Sequence, residues 1–181
     1  MPFGGSRVVA ATCGSFGGVA QIPTDSVERV EIRDRWFDDF MEEEQFEVGS
    51  HLMTEDRIIE FATEFDPQRF HVDPQAAKET IYRGLIASGW HTGSVMMKLL
   101  ATTLGDSSLG SSGGELRWLA PVRPGDVLRL RVTVESKKPS TSDLDRGSLV
   151  YRNELFNQDD EVVMTLVSTM LLLRRPQRVS D

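Results

Sequence analysis

Hydrophobic and polar positions follow two different periods along this chain, a helical one in the first half and a strand one in the last 70 or so residues. From Val127 to Glu135 the alternation is clean. Leu128, Leu130, Val132 and Val134 fall on one face, and Arg129, Arg131, Thr133 and Glu135 on the other. That period of two predicts a strand with one buried face. Leu149 to Phe156 and Val162 to Leu173 read as two further long strands, joined by the polar turn Asn157-Gln158-Asp159-Asp160. The second half of the latter is apolar on both faces, as expected of a central strand or one at a subunit interface. Earlier, Phe46 and Val48 alternate with polar neighbours as in an edge strand. Glu115 to Leu119 leads into a proline- and glycine-based turn, Pro121 to Asp126.

Helical spacing dominates between these strands. Thr54 caps a helix whose first turn carries Glu55 and Asp56, and Ile58, Ile59, Ala62 and Phe65 follow at helical spacing. Asp73-Pro74 reads as a cap with proline at the first helical position, opening a short helix from Gln75 to Thr80. The run from Gly89 to Leu104 is apolar on more than one face, with Trp90, Met96, Met97, Leu99, Leu100 and Leu104, which predicts a buried central helix. Long antiparallel strands with one buried helix make an α+β domain, a curved antiparallel sheet wrapped around a central helix.

Domain boundaries follow from where the patterns stop. Residues 1–25 hold glycines without apolar periodicity and read as a flexible N-terminal arm, 26–176 as a single domain, and 177–181 as a tail. The arm's Val8-Val9-Ala10-Ala11 run is too short and glycine-broken for a signal peptide, and no run reaches the ~20 apolar residues of a membrane span, so a cytoplasmic protein is expected. A net charge of −8 argues against a nucleic-acid partner. The single cysteine, Cys13, excludes an internal disulfide framework and reads as incidental.

Candidate chemistry concentrates in Asp66-Pro67-Gln68-Arg69-Phe70-His71. A carboxylate and an imidazole stand five positions apart across a proline, just after the first helix. Proline disfavours helix at the residue before it, so a non-helical turn is expected from Asp66 to His71, with both side chains converging on one bound molecule. The pair suits general acid–base work, His71 as a base near neutrality and Asp66 orienting the same water or exchanging its proton. A Gly/Ser-rich entry, Ala87-Ser88-Gly89, opens the central helix. His91 reads as a core or interface histidine, His51 as surface, and Trp90 with Met96-Met97 as core or tunnel wall. Arg117, Arg123, Arg129 and Arg131 read as solvated unless they meet anionic groups of a ligand.

Three blocks, FDPQRFHVDP at 65–74, GLIASGWHT at 84–92 and LRWLAPVRPGD at 116–126, together resemble the MaoC-like dehydratases, the (R)-specific enoyl-CoA hydratase branch of the hot-dog fold. The resemblance spans 37–173. It implies a hot-dog domain that reversibly hydrates a 2-enoyl-CoA to an (R)-3-hydroxyacyl-CoA, with Asp66 and His71 as the catalytic pair. It also implies a homodimer or higher homo-oligomer and no metal or cofactor, CoA entering as part of the thioester substrate. Gln68 and Arg69 stand where the family most often has Asn and Pro, and Ser88 where it often has His. Gln68, Ser88, Gly89 and Trp90 are the expected substrate-binding residues, with the Gly89 amide as oxyanion donor at the helix N-terminus. A hot-dog acyl-CoA thioesterase and a non-catalytic acyl-CoA-binding protein are the rival readings on the same fold.

Overall fold

The structure is a computed structural model that describes residues 35–176. The expected arm at 1–25 and tail at 177–181 lie outside the described residues. The chain lays down β1 (Gln45–Leu52), α1 (Glu55–Phe65), α2 (Arg69–Val72), α3 (Pro74–Lys78), α4 (Gly89–Leu104), β2 (Ser108–Trp118), β3 (Val127–Pro139), β4 (Arg146–Phe156) and β5 (Val162–Leu173). The five strands form one antiparallel sheet in the order β1-β3-β4-β5-β2. It curves around α4. This is the hot-dog fold.

The strand periodicity carries straight into the core. Leu128, Leu130, Val132 and Val134 of β3 are all fully buried, against Leu149, Tyr151 and Leu155 of β4. Removing each such aliphatic side chain from water stabilises the fold by roughly 1.5–3 kcal/mol. β1 is the edge strand its half-buried pattern announced, and β5 is central, between β4 and β2. The alternating segment expected from Val127 to Glu135 runs on to Pro139, where Pro139 still pairs with Gly147.

The helix α4 occupies the expected residues but does not bury its whole circumference. His91, Thr92, Val95, Met96, Leu99, Leu100 and Leu104 are buried, while Trp90 and Met97 are exposed. Buried positions recur every three or four residues, so the helix is amphipathic, with two large apolar side chains on its open face. Those two made it read as buried all round. The Met96-Met97 pair is therefore split, one in the core and one outside it.

Around the start of α4, the chain is stitched by backbone bonds. The Ile86 amide donates to the Phe70 carbonyl (3.1 Å) and the Ala87 amide to that of Val122 (2.8 Å). The Pro121–Asp126 turn closes on itself, the Arg123 amide donating to Asp126 Oδ2 at 2.7 Å. Gly125 there takes a φ of +92°, which a side chain would strain. These bonds hold three separate segments, 66–71, 85–89 and 118–122, around one space.

Candidate active site

Where α1 stops decides where the carboxylate points. Pro67 excludes helix at Asp66, whose amide still donates to the Ala62 carbonyl (2.9 Å) while its φ of −154° leaves the helix. The non-helical stretch is shorter than expected. It ends at Gln68, and Arg69–Val72 makes one helical turn, because proline restricts only itself and its predecessor. That turn carries His71 back toward Asp66, with Nε2 3.4 Å from Asp66 Oδ2.

The tautomer of His71 follows from its other nitrogen. Nδ1 lies 2.8 Å from the Ile86 carbonyl, which can only accept, so Nδ1 carries a proton and donates it. In the neutral ring, Nε2 then presents its lone pair toward Asp66. His71 is buried, its side chain 6% exposed, with Phe70 packed edge-on at 4.4 Å between centroids.

Asp66 is held as a carboxylate. Burial alone raises its pKa, but the hydrogen bonds from Ser88 and Gln68, with the positive charge of His71 when that ring is protonated, outweigh this and hold it below the ordinary range. Ser88 Oγ donates to Oδ2 at 2.7 Å and Gln68 Nε2 to Oδ1 at 2.8 Å. Ser88, fully buried, also caps α4 by accepting the Trp90 amide (3.2 Å). The structure thus places Gln68 and Ser88, expected to bind substrate, against Asp66. Their side chains order the carboxylate first.

Gly89 opens α4, so its amide has no acceptor one turn back. A Cβ there would lie 2.6 Å from the Trp118 ring, a close approach that only glycine permits. Trp118 Nε1 donates to the Gly89 carbonyl at 2.9 Å, and its ring meets Trp90 edge-on at 5.3 Å. Trp90 is 62% exposed, a wall residue at the opening rather than part of the core. Asp66, Gln68, His71, Gly89, Trp90 and Trp118 all line one cavity of about 480 Å³, with Phe70, Tyr82, Ile86 and Val122 as apolar walls.

Trp118, Phe70 and Tyr82 were not singled out by the sequence. Trp118 stands in the third resembling block, but its partner Gly89 is 29 positions away, beyond any local signal. His91 is the core histidine expected, stacked on Phe61 with centroids 4.7 Å apart. Burial, with His51 and Arg57 adding to it, pushes its pKa down to about 4. His51, expected at the surface, is half-buried. Arg117 pairs with Glu115, Arg129 with Glu47 and Asp160, and Arg131 with Glu47, while Arg123 donates to the Tyr82 carbonyl.

Comparison with known proteins matches this chain to one family. The model of the MaoC like domain covers residues 40–149. This chain belongs to the MaoC-like family. A MaoC-like dehydratase from Rhodospirillum rubrum is 37% identical and superposes with a TM-score of 0.74, over 79% of this chain and 99% of that one. The uncharacterized protein YdeM of Bacillus subtilis (strain 168) is 32% identical over 140 residues, 76% of this chain and 98% of its own length. A monoamine oxidase regulatory protein from Archaeoglobus fulgidus is 27% identical, with a TM-score of 0.70 over 78% of this chain and 96% of that one. Among the described residues, no helix is long and apolar enough to cross a membrane.

Proposed function

We propose that this MaoC-like protein is a hydro-lyase that reversibly adds water to a 2-enoyl-CoA, giving an (R)-3-hydroxyacyl-CoA. The observation that carries this reading is the Asp66–His71 pair. Asp66 Oδ2 and His71 Nε2 face each other at 3.4 Å inside the cavity, and with the ring neutral and its proton on Nδ1 both are acceptors. Two acceptors at that separation suit one molecule with two O–H donors. A water seated there gives one proton to each and keeps an oxygen lone pair for C3 of the substrate.

His71 is the base in this scheme. Both Asp66 oxygens already accept hydrogen bonds, which lowers that group's basicity, whereas Nε2 has only Asp66 Oδ2 beside it, at 3.4 Å. As the water oxygen bonds to C3, its proton passes to Nε2 and the C2–C3 π electrons move to the thioester carbonyl. The Gly89 amide holds the developing negative oxygen at the helix N-terminus. The imidazolium, steadied by the Asp66 carboxylate, returns its proton to C2. One water is consumed and both of its parts end on the substrate, so no cofactor or metal is needed. The open β2 edge of the sheet supports a homodimer, and the location we infer is cytoplasmic.

The rival with a specific observation behind it is a non-catalytic acyl-CoA-binding role, because one relative is named a regulatory protein. Enoyl-thioester hydration, followed as loss of ultraviolet absorbance over a panel of chain lengths, separates the two. The hydratase reading predicts turnover with at least one chain length. Tight binding of acyl-CoA without turnover of any would favour the rival.

A further inference from the structure

Trp118 makes a contact that the acid–base scheme does not use. It is the last residue of β2, paired with Met164 of β5, and the following Leu119 amide donates to the Val163 carbonyl at 2.9 Å. Its backbone is therefore fixed by the sheet, while its side chain reaches across to the first residue of α4. The indole N–H donates to the Gly89 carbonyl, and the ring lies where a Gly89 side chain would otherwise project.

That carbonyl belongs to the same peptide unit as the Trp90 N–H, which donates to Ser88 Oγ, which in turn donates to Asp66 Oδ2. A peptide unit is planar, so fixing its oxygen fixes its N–H. An unbroken chain of donors runs from Trp118 through the N-terminus of α4 to the carboxylate beside His71. Trp118 is 47% exposed, so little of the core depends on it.

We propose that Trp118 is a positioning residue: by holding the Gly89–Trp90 peptide unit, it sets the Trp90 N–H on Ser88 and, through Ser88, the orientation of Asp66. The inference rests on the hydratase reading. It assigns the sheet-to-helix contact to the reaction rather than to the stability of the fold.

Trp118→Phe tests this directly, because it keeps a ring against Gly89 and deletes the donor. The expected result is a kcat about tenfold lower, with KM within about twofold, the pattern of misplacement rather than lost binding. The unfolding midpoint should stay within about 2 °C of the wild type, on the scale of a sub-kcal change. A contact that only stabilises the fold would give the opposite, a lower midpoint and an unchanged kcat per folded molecule. A second readout needs no substrate. The indole N–H resonance missing from the Trp118→Phe spectrum should exchange with solvent more slowly than that of Trp90 in the wild type. Exchange as fast as Trp90, or a wild-type kcat in the variant, overturns the proposal. Slow exchange in a wild-type protein that turns over no enoyl thioester would instead overturn the hydratase reading and, with it, the role assigned to this contact.

Discussion

Ser88 Oγ donates to Asp66 Oδ2 at 2.7 Å, joining the first residue outside α4 to the carboxylate that ends α1. The same hydroxyl caps α4. Ser88→Ala therefore removes two bonds from one atom. Loss of the cap should cost about 1 kcal/mol of stability. Loss of the donor lets the Asp66 pKa rise, since that bond is among the effects holding it down. Activity that needs ionised Asp66 falls as pH drops through its folded-state pKa, so the acid limb of the pH–rate profile should move to higher pH. An acid limb unmoved in a folded Ser88→Ala protein would detach Ser88 from the carboxylate's chemistry.

Gly89→Ala probes the helix entrance. Alanine is the better helix former, so propensity alone predicts tolerance or a slight gain in stability. The structure adds a collision at 2.6 Å with the Trp118 ring, whose exposed side gives it room to swing away. Turnover should drop by about tenfold or more, while the unfolding midpoint changes little. Calorimetry and kinetics on one preparation check both halves. Full activity in a stable variant would move the oxyanion donor away from the Gly89 amide.

His91 gives the fold an acid-sensitive element away from the reaction. Its folded-state pKa of about 4 lies below the unfolded value near 6.5, because burial beside Phe61 disfavours the cation. The unfolded chain thus takes up the proton first. The stabilising contribution is complete above about pH 6.5 and is lost as the pH falls toward 4. Between about pH 7 and pH 5 the wild type should lose roughly 1–2 kcal/mol that a His91→Leu variant does not lose. Denaturant titrations at the two pH values measure the difference. Equal losses in both proteins would place the acid sensitivity in other groups.

Much of this was legible in the sequence, for local reasons. β3 announced itself because every second residue from Leu128 to Val134 is apolar and one face is buried. The α1 and α3 starts were legible from Thr54 and Asp73, which do accept the bonds of a cap. The Asp66–His71 pairing was legible because both residues lie on one short segment, although the helical turn of α2 was not, being too short for a periodic pattern. The first half of β2 was hidden by Gly110, Ser111, Gly113 and Gly114, which lack the side chains that mark a strand. What joins distant segments left no local trace. The Ser88–Asp66 bond spans 22 positions and the Trp118–Gly89 contact 29, and each is set only when the sheet closes on α4.

The central claim is that Asp66 and His71 together activate a water for addition to an enoyl thioester. Its most direct measurement is the hydration rate of His71→Ala and Asp66→Ala beside the wild type, on the best thioester of the panel, with circular dichroism confirming the folded state of each. Each variant should lose at least about two orders of magnitude in kcat, the usual effect of removing a positioned acid or base. Turnover at the wild-type rate in either folded variant would contradict the account.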